Sequence, residues 1–231
     1  ACRARVDSVD RPLLEKMYRA GCRRIYYGIE CGNQSKLDEM NKGITVEQVR
    51  NAIDTTNSLG IKTLGFFLVG IPGETAQSVR ETVKFASGLN LDFAQFSKLT
   101  AKPMTGMWRR IKEETGKDYW REYILGNAEE SQPPRPWTEL SNEEVDRLTR
   151  WAYLKFYSRP MFLWKSVLAV TSFTEFKRKF TAFLDMFFNQ EKKSEDWAEK
   201  NREFRVYNEN RGKRRNHAAG RIFGKKGGRE E

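Results

Sequence analysis

Apolar runs alternate with amphipathic segments over the first hundred residues of the chain. The run at residues 64–69 contains bulky and β-branched side chains, which is the pattern of a strand buried on both faces of a parallel sheet. Further strands are predicted at residues 2–9, 24–30 and 92–99. The first of these alternates charged with smaller residues, which indicates one charged face.

The segments between the strands carry apolar residues at helical spacing and recognisable caps. Asp10 is predicted to cap the first helix, and Thr45 forms a capping box with Gln48 for a later one. Strands that alternate with helices of this length indicate an α/β fold with a parallel sheet and right-handed crossovers. The periodicity fits a doubly wound sheet and a slice of a barrel equally well.

The pattern becomes helical after residue 100. One helix is predicted at residues 107–123, and a second begins at a capping box formed by Ser141 and Glu144. The expected inner face of this second helix carries Val145, Leu148, Ala152 and Phe156. We therefore predict three parts: an α/β part at 1–106, an α-helical extension at 107–188 and a charged, disordered tail at 189–231.

The net charge of +11 raises nucleic-acid and membrane binding as function classes. Much of the excess lies in the tail, and a basic, glycine-containing terminus is more often solvated than a binding surface. Phenylalanines recur at helical spacing in residues 173–187, which favours packing but leaves peripheral membrane contact open. The alternative function is therefore a basic, non-catalytic RNA- or membrane-associating module. No apolar run reaches the roughly 18 residues that span a bilayer.

Cysteine and histidine usage narrows the chemistry further. The spacings of Cys2, Cys22 and Cys31 match no zinc or disulfide framework, and free thiols suit a reducing cytoplasm. His217, the one histidine, lies in the tail, so neither a histidine metal cluster nor a catalytic triad with histidine can be built. No strand is followed by G-x-G-x-x-G or G-x-x-x-x-G-K, which disfavours another phosphate-binding α/β protein.

Chemically distinctive residues follow the predicted strands at their carboxyl ends. Glu30 ends one strand, a glycine turn at residues 70–75 follows the next, and hydroxyl groups end the last at residues 97–100. Such ends share one rim of a parallel sheet, where helix N-termini point N–H groups at ligands. The rim suits a ligand with hydroxyls, a cationic amine and a flat ring. Arg3 and Arg5 either face an anion inside a barrel or are solvated on an edge.

Three segments of the chain together resemble the radical SAM superfamily, and in particular the branch with a cobalamin-binding domain ahead of the barrel. They are Tyr-Gly-Ile-Glu-Cys-Gly-Asn-Gln at 27–34, Asn-Lys-Gly-Ile-Thr at 41–45 and Gly-Ile-Pro-Gly-Glu-Thr at 70–75. Residues 107–188 are similar to the helical extension of that branch at 120–123 and 157–160.

The resemblance implies the C-terminal portion of an incomplete (β/α)6 TIM-like barrel. Such a barrel holds a four-iron four-sulfur cluster and S-adenosyl-L-methionine and performs methyl transfer, cyclisation or rearrangement through a deoxyadenosyl radical. By motif position, Glu30 would bind the hydroxyls or amine of S-adenosylmethionine, for which a capping or ion-paired carboxylate is the alternative. Leu68, Val69 and Gly70 would lie along the adenine, and Arg3 or Arg5 would face substrate or cofactor anions. The substrate is expected to be a small or lipid-like molecule.

One departure from the family pattern concerns the cluster. The family holds it with C-x-x-x-C-x-x-C after the first barrel strand, and this sequence has no such motif. Because Ala1 falls inside a predicted strand, the chain is expected to be part of a longer protein. Its upstream sequence would supply the cluster ligands, the first two barrel strands and any cobalamin domain.

Overall fold

The computed structural model describes residues 1–125, 135, 137–160, 162 and 181. These residues belong to two compact units. The first unit holds residues 1–100 and the described residues from 135 to 162, and the second holds residues 101–125 and residue 181. The phenylalanines of residues 173–187 and the basic tail lie outside the described residues, and Thr181, between two of these phenylalanines, is the one position of that segment that is described. No described helix is both long and apolar enough to cross a bilayer.

The first unit is an α/β layer structure whose elements follow the predicted order. Its strands are β1 (Cys2–Ala4), β2 (Arg24–Glu30), β3 (Lys62–Val69) and β4 (Phe93–Lys98). Its helices are α1 (Arg11–Arg19), α2 (Gln34–Glu39), α3 (Val46–Ser58), α4 (Ala76–Gly88) and, later in the chain, α7 (Asn142–Tyr157). The second unit contains α5 (Gly106–Thr115) and α6 (Tyr119–Leu125).

The four strands form one parallel sheet in the order β1-β2-β3-β4. Each strand lies beside its successor, whereas a doubly wound sheet reverses direction at a switch point. The buried positions of β2, β3 and β4 lie on one face, where they join the helices in a single core. Helices on one face of a sheet with unreversed order are the arrangement of a barrel slice, and this settles the choice that periodicity left open.

The prediction that β3 is buried on both faces is wrong. Thr63, Gly65, Phe67 and Val69 are buried, but the residues between them are only half-buried. The helices cover one face, and the opposite face lines an open cavity. A continuous apolar run is therefore compatible with a strand that has only one fully covered face.

Two predicted elements have different bounds in the structure. The first strand ends at Ala4 because Val6 is buried in a short 3-10 turn at Val6–Ser8. The Ser8 hydroxyl stabilises this turn by donating to the Arg5 carbonyl at 2.9 Å. The single helix predicted at 107–123 is wrong, because Gly116 has a φ of 67° and separates α5 from α6.

The predicted helix caps are confirmed. Asp10 accepts from the Leu13 N–H, and the Thr45–Gln48 and Ser141–Glu144 capping boxes are both complete. Helix α7 buries the four residues predicted for its inner face, and it packs on the sheet. It therefore belongs to the same compact unit as β1–β4, while the division into 1–106, 107–188 and 189–231 stays a prediction.

Two tyrosines of α7 bind the backbone of β4 along the edge that faces away from β3. Tyr157 Oη donates to the Ala94 carbonyl at 2.8 Å and accepts from the Ala94 N–H at 3.2 Å. Tyr153 Oη accepts from the Phe96 N–H at 3.2 Å. Because an unpaired strand edge would otherwise expose these groups, the tyrosine hydroxyls replace hydrogen bonds that a fifth strand would make.

The glycine turn after β3 is closed by the buried carboxylate of Glu74, which is 1% exposed. Its Oε2 accepts from the N–H groups of Gly70 at 2.5 Å and Ile71 at 3.1 Å. Trp137 Nε1 donates to the Gly70 carbonyl at 2.8 Å, and the Trp137 carbonyl accepts from the Gly73 N–H at 2.9 Å. The expectation of free N–H groups for a ligand is therefore wrong at Gly70 and Ile71, because a side chain of the same turn accepts from both.

Replacing Tyr157 by Phe should destabilise the unit by about 1–3 kcal/mol, because both backbone polar groups of Ala94 lose their partner. Urea unfolding measures the change, and hydrogen exchange of the Ala94 amide should quicken. Tyr18→Phe, at an exposed ring, is the matched control. Unchanged exchange at Ala94 would show that the hydroxyl does not close this edge.

The stability of the chain should fall as pH rises from about 4.5 to about 7. Burial raises the pKa of Glu74 from 4.5 to about 7, although the two N–H groups oppose this effect. The native state then holds a proton that the unfolded state has lost, so the free energy of unfolding falls by about 3 kcal/mol across this interval.

Glu74→Gln removes this titration and should flatten the dependence of unfolding free energy on pH. Glu81→Gln, which removes an exposed carboxylate on α4, the helix that follows Glu74, should leave it unchanged. Equal pH slopes for the Glu74→Gln and unsubstituted chains would contradict the assignment.

Candidate functional site

The structure brings the predicted strand ends to one rim of the sheet. Glu30 at the end of β2 pairs in register with Phe67 of β3, and Val69 pairs with Lys98 of β4. Gly70 follows Val69 directly. Neighbouring strands therefore deliver the carboxylate, the glycine turn and the polar end of β4 to the same edge, as parallel pairing requires.

Glu30 occupies a specially shaped position on this rim. The register between β2 and β3 shifts between Gly28 and Glu30, and Glu30 has a φ of 73°, which non-glycine residues rarely adopt. A β-bulge of this kind re-aims a side chain beside a functional site. Glu30 also lines an open cavity of about 470 Å³ on the sheet face opposite the helices.

Glu30 forms an ion pair with Lys42, whose Nζ lies 2.5 Å from Glu30 Oε1. The two side chains are 18% and 21% exposed, so the pair is largely withdrawn from solvent. Gly28 leaves room for it, because a Cβ there would lie 3.1 Å from Glu30 Oε1 and 3.4 Å from Lys42 Nζ. The rim therefore presents a carboxylate and an ammonium side by side.

Lys42 is a candidate site residue that the sequence analysis did not assign. It lies between Asn41 and Gly43, whose φ values are 53° and 65°. Residues with left-handed backbone flank the lysine on both sides, so the loop turns sharply and presents the lysine side chain. The sequence Asn-Lys-Gly was the signal from which this loop could have been predicted.

Arg5 is engaged with the chain's own groups. Its guanidinium donates to both oxygens of Asp7, at 2.9 and 2.8 Å, and to the Lys42 carbonyl at 2.9 Å. The hydrogen bonds from Arg5 hold the pKa of Asp7 below its usual value. Arg5 thus anchors the loop that carries Lys42, and the anion that its guanidinium meets in this structure is Asp7.

Arg3 lines the cavity, as expected for a residue on the inner face of a barrel strand. Its guanidinium lies 5.5 Å from the centroid of the Phe66 ring, and Tyr26 meets the same ring edge to face at 6.2 Å. The cavity therefore combines an aromatic floor, two arginines, of which Arg5 is paired with Asp7, and the Glu30–Lys42 pair at its rim.

The three residues predicted to lie along adenine have different environments. Leu68 is half-buried and, like Phe66, occupies one of the alternate positions of β3 that face the cavity side of the sheet. Val69 is 1% exposed and points into the core, and Gly70 is buried in the turn closed by Glu74. Of their side chains, that of Leu68 is the one on the cavity-side face.

The described residues do not form a site for an iron–sulfur cluster. They contain no group of three or more histidine, cysteine, aspartate or glutamate side chains placed to hold a metal ion. Cys31 follows Glu30, but it is 1% exposed, and burial raises its pKa to about 11. A cluster needs several thiolates, and Cys31 is a buried, protonated thiol at neutral pH.

Comparison with known proteins gives a consistent match along the sheet. The model of the radical SAM superfamily matches residues 3–86. An uncharacterised methyltransferase of Pyrococcus horikoshii is 32% identical over 166 residues, covering 71% of this chain and 35% of that protein. An anaerobic magnesium-protoporphyrin IX monomethyl ester cyclase of Rubrivivax gelatinosus is 34% identical over 105 residues, covering 46% of this chain and 19% of that protein.

Among solved structures, the radical S-adenosylmethionine methyltransferase TsrM of Kitasatospora setae overlaps 48% of this chain and 22% of its own. The identity is 25% and the TM-score 0.45. Coproporphyrinogen III oxidase of Escherichia coli overlaps 68% of this chain and 31% of its own, at 15% identity and a TM-score of 0.49.

The chain spans about a third of the Pyrococcus relative and about a fifth of the cyclase. The match at residues 3–86 includes most of β1, all of β2 and β3 and most of α4, and with them Glu30, Lys42 and the glycine turn. Residues 3–86 of the chain therefore belong to the radical SAM superfamily.

Proposed function

We propose that this chain is the part of a radical SAM enzyme that binds S-adenosylmethionine. The observation that carries the proposal is the Glu30–Lys42 pair, held at a strand end beside an open cavity. The whole enzyme would perform methyl transfer, cyclisation or another radical rearrangement on a small or lipid-like molecule.

The charges of the rim fit the amino-acid end of S-adenosylmethionine. That end carries an ammonium and a carboxylate, and the rim offers a carboxylate on Glu30 and an ammonium on Lys42. A zwitterionic ligand can contact both partners with opposite charges, so neither residue is left with an uncompensated charge. The left-handed backbone at Glu30 and the Arg5 anchor hold the two groups in place before the ligand arrives.

The rest of the ligand fits the cavity-side residues. Phe66 lines the cavity and Leu68 lies on the same side of β3, so both offer apolar surface for a flat ring, and Arg3 or Arg5 offers a cation for a substrate or cofactor anion. Leu68, Val69 and Gly70 remain our assignment along adenine, with Leu68 supplying the side chain, whereas the Gly70 N–H and carbonyl are already bound by Glu74 and Trp137. Their part is to orient the ligand and exclude water.

In the whole enzyme, a four-iron four-sulfur cluster held by residues outside this chain would supply the electron for the cleavage of S-adenosylmethionine. Its thiolate ligands, and any cobalamin domain, are proposed to lie upstream of Ala1. The similarity to a methyltransferase and a cyclase supports methyl transfer or cyclisation for the whole protein. A cytoplasmic setting is part of the proposal, because free thiols persist under reducing conditions.

Removing the carboxylate of Glu30 tests the binding role. In the protein encoded by the complete reading frame, Glu30→Ala should weaken S-adenosylmethionine binding by roughly tenfold or more, because truncating one partner of a desolvated charged contact costs on the order of 2 kcal/mol. Titration calorimetry measures the affinity, and circular dichroism checks that the fold is retained.

The matched control is Glu39→Ala, which removes a carboxylate paired with Lys36 at 2.8 Å outside the cavity. It should leave the affinity unchanged. Unchanged affinity of the Glu30→Ala protein would refute the assignment and leave Glu30 as an ion-paired structural residue.

The coding sequence upstream of Ala1 tests the cluster assignment. It should contain C-x-x-x-C-x-x-C, and the protein produced anaerobically should carry iron and sulfide that are lost when these cysteines are replaced by serine. An upstream sequence without such a motif would leave the basic RNA- or membrane-associating module as the remaining hypothesis. Binding to RNA or vesicles that falls steeply with salt and needs residues 189–231 would then be expected.

A further inference from the structure

Two cysteines that are twenty positions apart in sequence meet at the opposite rim of the sheet, away from the candidate site. Cys2 is the first residue of β1, and its register partner in β2 is Ile25. Cys22 lies in the turn that leads from α1 into β2, three positions before Ile25. Since neighbouring strands lie only about 5 Å apart, the turn before β2 comes beside the start of β1.

The Cys22 thiol lies beside the start of β1. Its Sγ donates at 3.5 Å to the carbonyl of Arg24, the residue before the register partner of Cys2, and the Cys22 N–H donates to the Met17 carbonyl at 2.9 Å, so the turn that carries it is fixed. Burial and the neighbouring Cys22 thiol raise the pKa of Cys2. Both cysteines are free and only half-buried at the margin of the core.

Because both thiols are partly exposed, they can react with small molecules in solution. A small oxidant can approach either sulfur, and the second thiol is already beside the first, so the closing step needs little rearrangement. Cys31 differs in both respects, because it is 1% exposed and burial raises its pKa to about 11. It provides an internal standard for an inaccessible thiol.

We propose that Cys2 and Cys22 form a modification site, a dithiol that a small-molecule disulfide oxidises to an intrachain disulfide. The thiolate of one cysteine attacks the small disulfide, forms a mixed disulfide and releases one small thiol. The other cysteine attacks the mixed disulfide, closes the Cys2–Cys22 bond and releases the second small thiol. The protein loses two electrons and two protons, and the small disulfide gains them.

The bond would tie β1 to the turn before β2. Cys2 belongs to the helix-side row of the sheet with Ile25, whereas Arg3 lines the cavity on the opposite face. The crosslink therefore leaves the cavity open while fixing the strand that carries Arg3 and leads to Arg5. Oxidation would restrain the backbone that carries the two arginines from the helix side of the sheet, and reduction would release it. In cytosolic proteins such bonds are typically transient and redox-sensing.

Oxidised glutathione is the probe that tests the proposal. The reduced, folded chain is incubated with it, quenched with acid, and its free thiols are counted in denaturant before peptide mapping. The count should fall from three to one, with one crosslinked pair of peptides containing Cys2 and Cys22 and with Cys31 unmodified. The oxidised chain should also melt at a higher temperature, because the bond restrains residues 2–22 in the unfolded state.

Single serine variants supply the controls. Cys31→Ser should still form the bond, with its thiol count falling from two to zero, whereas Cys2→Ser and Cys22→Ser should show no intrachain crosslink. Three persisting thiols in the oxidised chain, a bond that includes Cys31, or bonds between chains would each overturn the proposal. The test does not involve S-adenosylmethionine, so its outcome is independent of the proposed function.

Discussion

The parallel hydrogen-bonding ladder between β2 and β3 is the constraint on which the candidate site depends. It sets Glu30 opposite Phe67, so that the end of β2 and the turn after β3 must share one rim. The register shift just before Glu30 then turns its carboxylate toward Lys42. A one-residue slip in this ladder would move every side chain of the slipped strand to the other face and separate the aromatic cavity floor from the charged rim.

At three places, side chains bind backbone N–H or carbonyl groups that the strands and turns leave without a backbone partner. Glu74 accepts from the turn after β3, and the tyrosines of α7 bind the free edge of β4. Arg159 donates to the carbonyls of Ser87, Leu89 and Leu91 where α4 passes into β4. Because buried backbone groups are costly to leave unpaired, these distant side chains hold the strand ends in the geometry that the rim needs.

The two arginines near the cavity show that residue type alone does not predict which partner a charged side chain binds. Arg3 and Arg5 are two positions apart and were equivalent candidates for an anion contact. Both line the cavity, but the structure gives them different partners, because Arg3 lies over the Phe66 ring whereas Arg5 is bound by Asp7 and the Lys42 carbonyl. The difference arises at Val6–Ser8, where β1 ends and a turn begins. The alternation of charged residues does not reveal this local competition between strand and turn.

The sequence by itself determined the element order, the helix caps and the inner face of α7, because hydrophobic periodicity and capping are local properties. It also determined the family, since Glu30 and the glycine turn lie in ordered motifs. Tertiary structure was needed to pair Lys42 with Glu30, to close the glycine turn with Glu74 and to place Cys22 beside β1. Each of these arrangements depends on the ladder, a sharply turned loop or a buried turn, and their geometry follows from packing and hydrogen bonding across the fold rather than from spacing along the chain.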